Sequence, residues 1–425
     1  MRSFPLQNHR LNRWGVFGAA SLAFFFLNLA TFTSIGIVLF TMAAELHWSY
    51  TAAGFSFAFL GLACGLSSPL PTLTMGWIGG RATTTLGAAL LMVGFWIASI
   101  TQGIFDFYVG MLFLGLGYSF AGNVPGVTLI SGWFRQGTAR IIGFYLMLGA
   151  LGAAIGPRIV EAVVVEVGWR GQWRVMAVAA AVLGAVCLTF VRDPKATSGP
   201  GIAPDGGRLP DANATGAWTP RQAIFTPQFM LIAAAMAATM ACVTTNASVT
   251  PNHLVKLGAT EVVAAYVLGV MGFVATMVKG LSGWLCEKLP ATTVVAAGLV
   301  LECAGNVMLA FAGTPALQYG SAVIFGIGWG LAYVSGTVAL LEFFGGKTGS
   351  KILSAVWVLT SIAAVGPPAA GAIADAYGTF APIFIVYAIL LLGLATPILL
   401  MRRPINRAAA LSNDRDLPGT VRVAR

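Results

Sequence analysis

The chain has 425 residues, of which 57% are hydrophobic and only 9% charged, with a formal net charge of +10. A soluble protein carries roughly 25% charged residues, so this composition excludes a soluble enzyme and makes lipid the natural solvent. Nucleic acid is excluded as a partner, because no segment is long enough to fold as a soluble basic module.

A membrane-spanning helix needs roughly 20 apolar residues. Such runs fall in chain order at about 14–42, 50–75, 83–102, 105–131, 140–165 and 174–191. The first is too long for the core of a signal peptide and is expected to stay as a span. Residues 192–222 break the pattern with Pro, Gly and Asp, as in Pro204-Asp205-Gly206-Gly207, and read as a linker. Six more runs follow, at about 224–250, 260–285, 291–312, 317–341, 352–373 and 381–400, before a polar tail at 402–425. The predicted fold is an all-α membrane protein of twelve transmembrane helices. It comprises an N-terminal six-helix bundle (1–191), the linker (192–222), a C-terminal six-helix bundle (223–401) and the tail.

The halves repeat one another. Gly76-Trp77 recurs as Gly283-Trp284 after 207 residues, Gly115, Gly117 and Tyr118 as Gly326, Gly328 and Trp329 after 211, and Gly156-Pro157 as Gly366-Pro367 after 210. Ordered recurrence within apolar runs is the pattern of a duplicated secondary transporter. Of the 24 Lys and Arg, 19 fall on the side of the termini and linker, three on the opposite side (Arg170, Arg174, Lys256) and two within spans (Arg158, Lys279). That bias predicts cytoplasmic termini and a cytoplasmic linker, in a bacterial inner membrane. It also accounts for the net charge, since the basic residues face anionic lipid.

The three histidines lie far apart, and the sequence has no His-Glu-x-x-His, Cys-x-x-Cys, phosphate loop or Gly-x-Ser-x-Gly. The five cysteines lack ligand spacing and read as packing. No catalytic set, metal or cofactor is expected.

Charged groups inside a membrane usually have a function or a partner. Lys279 falls nine residues before Lys288, roughly 12–14 Å from the membrane face, where it can fix a carboxylate or pair with Glu302 in the next span. Arg158 follows Gly156-Pro157 and can grip a carboxylate through two parallel hydrogen bonds, or pair locally with Glu161 at i+3. Glu302 and Glu161 are the proton-coupling candidates. Asn28, Asn123 and Asn246 are polar groups within spans, able to bond a ligand or a neighbouring helix. Tyr145, Tyr333 and Trp357 are the aromatic candidates for lining a central cavity, although packing is the commoner use of such residues.

At these residues the chain resembles the major facilitator superfamily, and within it the monocarboxylate transporters and oxalate/formate antiporters. The stretches that carry the resemblance are Glu45-Leu46-His47-Trp48-Ser49, Ser131-Gly132-Trp133-Phe134 and above all Lys279-Gly280-Leu281-Ser282-Gly283-Trp284-Leu285-Cys286-Glu287-Lys288. The resemblance implies that Lys279 occupies the position of the family's substrate-related Arg. It also implies that Glu287 and Lys288 stand in for an Asp-Arg gating turn. The first-half gating turn reads Gly76-Trp77, with Arg81 retained, and Ala275 stands where proton-coupled animal relatives place an Asp. The implied protein is a carrier of a small organic anion, a monocarboxylate such as an aromatic or hydroxy acid, working by alternating access. It is expected to be a monomer in the lipid bilayer, with protons as the default coupling ion. The rival readings are a drug or metabolite exporter of the same fold, suggested by the spacing Gly143-x8-Gly152-x3-Gly156-Pro157, and a transporter-like ligand sensor.

Overall fold

The computed structural model describes residues 6–48, 50–134, 136–193, 218–345 and 348–404. Most of the linker and tail, and Ser49 of the Trp-Ser turn, lie outside the described residues. The first half contains α1 (Leu6–Ala30), α2 (Phe32–Glu45), α3 (Tyr50–Ser67), α4 (Pro69–Ile100), α5 (Ile104–Ala121), α6 (Asn123–Trp133) and α7 (Thr138–Phe190). The second contains the short α8 (Pro220–Ile224), then α9 (Pro227–Lys256), α10 (Glu261–Lys288), α11 (Ala291–Ala310), α12 (Pro315–Phe344), α13 (Gly349–Thr360), a 3-10 turn (Ser361–Val365), α14 (Gly366–Tyr377) and α15 (Ala381–Leu399).

Ten helical stretches among the described residues are long and apolar enough to cross a membrane. Two of them turn back. The 53 residues of α7 would reach about 80 Å if straight, and the chain reverses at Gly168, whose φ of 68° suits a residue without Cβ. α4 turns likewise at Gly79 (φ 82°), where the Gly80 amide donates to the Asp193 carboxylate. With α3 running into the head of α4, the chain makes the twelve crossings that the sequence predicts.

Four predicted spans are interrupted: at Thr31 between α1 and α2, at Ser68 between α3 and α4, at Gly122 between α5 and α6, and at the 3-10 turn before Gly366. Broken backbone in a membrane must be paired within the protein. The Thr31 amide and hydroxyl both donate to the Leu27 carbonyl (3.0 and 2.6 Å), and the Tyr145 hydroxyl donates to the Gly122 carbonyl at 3.0 Å. The second copy of Gly-Pro opens α14, whereas Pro157 sits inside continuous α7.

Packing fixes the internal repeat at 211 residues. A Cβ on Gly87 would lie 2.7 Å from the Ala121 nitrogen, and one on Gly298 2.6 Å from that of Ala332. Gly94 is likewise closed by Leu114, and Gly305 by Phe325. Gly115 abuts the backbone of Leu60 and Cys64, and Gly326 that of Met271 and Ala275. Each contact in one half is matched in the other at that offset, because only glycine lets these helix pairs approach so closely. The pairing of Gly76 with Gly283 is therefore a helical turn out of register. Gly76 has open space around it, while the counterpart of Gly283 is Thr72.

The halves meet along two matched seams. Thr72 and Ser354 share a 2.7 Å hydrogen bond between α4 and α13, and at their counterparts Gly283 and Gly143 bring α10 onto α7. Both seams lie towards the pole that carries Phe134, Asp193 and Lys288, here the linker pole. At the distal pole α2 packs on α1, α3 and α7, and α14 on α9, α15 and the 3-10 turn. Each of these keeps to its own half, and the seams that join the halves lie nearer the linker pole.

Candidate functional site

The site grows from the packing of α10 on α12. Gly330 faces Val278 and Ala275 so closely that a Cβ would lie 2.7 Å from the Val278 Cβ, and the Ser282 hydroxyl donates to the Leu331 carbonyl at 3.1 Å. Lys279, on the next position of α10, is thereby pressed against α12. Its side chain is 6% exposed, with Nζ 4.4 Å from the centre of the Trp329 ring and 5.2 Å from that of Tyr333. Ring faces carry negative potential, so a desolvated ammonium is attracted to both. Tyr333 meets the edge of Trp357 at 6.3 Å, and its hydroxyl accepts a 3.1 Å hydrogen bond from Asn123 Nδ2 across the interface between the halves.

The cluster holds a cation without a counter-ion. The ion pair found among the described residues is Arg140 with Glu287; Lys279 takes part in none. The alternative pairing of Lys279 with Glu302 does not form. Glu302 is fully buried on the other side of α12, where Oε1 accepts from the Thr239 hydroxyl at 3.1 Å. Beside Lys279, two buried atoms have no hydrogen-bond partner: the Trp329 indole nitrogen, a donor, and Asn123 Oδ1, an acceptor. Buried polar atoms are rarely left unpaired, so the cluster offers a cation, a donor and an acceptor together.

Lys279, Asn123, Tyr333 and Trp357 are brought together, and Trp329, marked in the sequence only by the internal repeat, joins them. Its signal was the repeat: Trp329 stands where the first half has Tyr118. Arg158 and Glu161 lie elsewhere. Both are exposed and form no ion pair among the described residues, so the local i+3 pairing is absent. At about 100° per residue, they continue the face of α7 that carries Gly143 and Met147, the face turned towards α10 of the other half.

The remaining candidates are occupied structurally. Asn28 donates to the Phe24 carbonyl at 2.7 Å and accepts from the Tyr118 hydroxyl at 3.1 Å. Tyr145 is fully buried, stacked on Phe24 at 4.9 Å, with its hydroxyl on Gly122. Asn246 points into the C-terminal half and donates to Asn306 at 3.3 Å.

At the linker pole Glu287 accepts from both Nε and a terminal nitrogen of Arg140, bridging α7 and α10. Lys288 instead lies over its neighbour Trp284, 3.9 Å from the ring centre. Arg81 is exposed and forms no ion pair among the described residues. Arg140 is the latch partner missed in the sequence, because nothing local reveals which of many basic residues crosses the seam.

A family model, the Major Facilitator Superfamily, matches residues 20–365. A comparison with curated protein sequences finds no match. Among solved structures, a point variant of the E. coli fucose:proton symporter FucP aligns with a TM-score of 0.69 and 16% identity, covering 90% of this chain and 98% of that one. FucP in an outward conformation gives 0.68 and 15%, over 90% and 98% of the two chains. The proton:xylose symporter XylE bound to 6-bromo-6-deoxy-D-glucose gives 0.69 and 13%, over 91% and 95%. At such identities the likeness is one of fold. With its duplicated six-helix halves and a family match over most of its length, the chain belongs to the major facilitator superfamily of secondary transporters.

Proposed function

We propose that this transporter carries a small organic anion, an aromatic or hydroxy monocarboxylate, coupled to protons. The observation that carries the reading is the Lys279 ammonium, buried at the interface between the halves and left without a carboxylate partner. An uncompensated charge in such a place is costly, and a carboxylate ligand would neutralise it. The Trp329 N–H would give the anion a second hydrogen bond, and Asn123 Oδ1 would accept from a hydroxyl. Trp329, Tyr333 and Trp357 supply ring faces for an aromatic body. Glu302 is the proposed proton holder. Arg158 and Glu161 would meet the substrate on its way in, and the Arg140–Glu287 latch would open as the halves rock. With the linker pole in the cytoplasm of a bacterial inner membrane, as the basic residues indicate, the present conformation faces outward.

The test is thermal stabilisation of the purified chain by a panel of carboxylates, alongside Lys279→Gln. A ligand at 100 times its Kd stabilises by about 2.7 kcal/mol. One acid class should raise the Tm of wild type and leave the variant unmoved. D-xylose and L-fucose, named for the similar folds, serve as neutral comparisons. Stabilisation by those sugars or by cationic amphiphiles, with none by any acid, would overturn the reading.

A further inference from the structure

The internal repeat exposes an anomaly behind the site. At the 211-residue offset fixed by the glycine contacts, Glu302 and Asn306 of α11 are the counterparts of Leu91 and Phe95 of α4. All four side chains are fully buried. The first half packs this helix pair with hydrocarbon, so the fold does not need a carboxyl and an amide here. In lipid such a substitution is expensive and marks function.

The two residues belong to a polar seam between α9 and α11. Glu302 accepts from Thr239, Asn306 Nδ2 donates to the Glu302 carbonyl at 2.9 Å, and Asn246 donates to Asn306 Oδ1. A turn further towards the distal pole, the Thr250 hydroxyl borders a cavity of about 10 Å³, the size of one water, whose other lining is Ser321 and mostly apolar side chains of α10, α11 and α12. Beyond it His253 Nε2 lies 3.0 Å from the Leu309 carbonyl. A carbonyl only accepts, so Nε2 carries the proton and Nδ1 is left as an acceptor. One helical turn on, Lys256 reaches the exposed distal surface. Three buried oxygens along this seam have no protein partner: Glu302 Oε2, Asn246 Oδ1 and Thr250 Oγ. Of these only Thr250 borders the water-sized space, but each buried unpaired oxygen is a place where an ordered water can bond.

We propose that protons reach Glu302 from the distal pole through the interior of the C-terminal half, along a hydrated seam between α9 and α11 that passes His253, Thr250 and the Asn246–Asn306 pair. This rests on the reading of the chain as proton-coupled, and separates the proton's route from the substrate's. In the final hop an O–H bond of a protonated water breaks and one forms at Glu302 Oε2; the carboxylate becomes a carboxylic acid and no electron moves. The groups around Glu302 are Thr239 and Cys242 from α9, Cys303 on its own helix, and the Gly328 backbone of α12. Tyr387 of α15 is held off by its bond to Thr245. His253 faces Phe380 and Phe384, with Lys256 a turn away. Glu302 touches Gly328, the residue before Trp329, so its protonation acts on the wall of the Lys279 pocket.

The test is infrared difference spectroscopy on the full chain in detergent, without substrate. Wild type should show a protonated-carboxyl band that Glu302→Gln removes. After a jump into D2O, that band should shift about tenfold more slowly in Thr250→Val and Asn246→Leu than in wild type. Thr250→Val is nearly isosteric and guards against misfolding of the second variant. Loss of no band in Glu302→Gln, or unchanged exchange in a folded Thr250→Val, would overturn the proposal. Because no carboxylate is present, failure of the anion-binding reading would leave this result standing, and the reverse.

Discussion

Arg140 on α7 and Glu287 on α10 join the two halves at one pole, and among the described residues no ion pair joins them at the other. Their side chains are 49% and 19% exposed, so the pair itself is weak, worth about 0.2–1 kcal/mol. Its importance lies in belonging to only one of the two states that the halves can adopt.

Glu287→Gln should therefore shift the balance towards opening of the linker pole by up to about fivefold. Spin labels at Leu46→Cys and Leu257→Cys would read this as a larger population of short distal separations. An unchanged distance distribution would show that the pair does not select a state.

Gly143→Ala tests the seam beneath the latch. The new Cβ would lie 2.8 Å from the Lys279 carbonyl and 2.9 Å from Gly283 Cα, both backbone atoms that cannot swing aside. Overpacking of this kind costs about 1–3 kcal/mol. The cost falls only on the state joined at the linker pole, so the same spin labels should report a shift in the same direction as Glu287→Gln. A lower Tm with no shift would place the strain inside one half.

Lys279→Met should raise the Tm of the ligand-free protein. The buried ammonium lacks a counter-ion, and an apolar replacement of similar length removes about 1–3 kcal/mol of desolvation cost while keeping the contact with Trp329. A fall in Tm would mean that the two ring contacts more than repay burial.

Gly87→Ala and Gly298→Ala should destabilise alike, by about 1–3 kcal/mol each. Each places its methyl on the backbone of the facing helix, at Ala121 and at Ala332. Chemical denaturation of the two variants would show it, and a large inequality would mean that the repeat is not matched in energy.

The number and order of crossings were legible in the sequence because apolar length is a local property. The repeat was legible too, but Gly76 and Gly283 matched by composition a turn away from where packing pairs them. The breaks at Thr31 and Gly122 were hidden, since their lost helical bonds are made good by the Thr31 side chain and by Tyr145 from another helix. Lys279 stood out as a charge in an apolar run. Of its aromatic neighbours Tyr333 was a candidate and Trp329 was not, because that contact depends on Gly330 drawing α12 against α10. Arg158 was equally conspicuous in sequence, yet it lies apart from that cluster.

The matched glycine contacts also show how a duplicated chain divided its labour. At the same offset, the counterpart of Lys279 is Ser68, just as those of Glu302 and Asn306 are Leu91 and Phe95. At matched positions one copy is neutral and the other carries the charges. Two halves of one backbone plan thus hold the same helices together with different interiors, one supplying the frame and the other the polar groups.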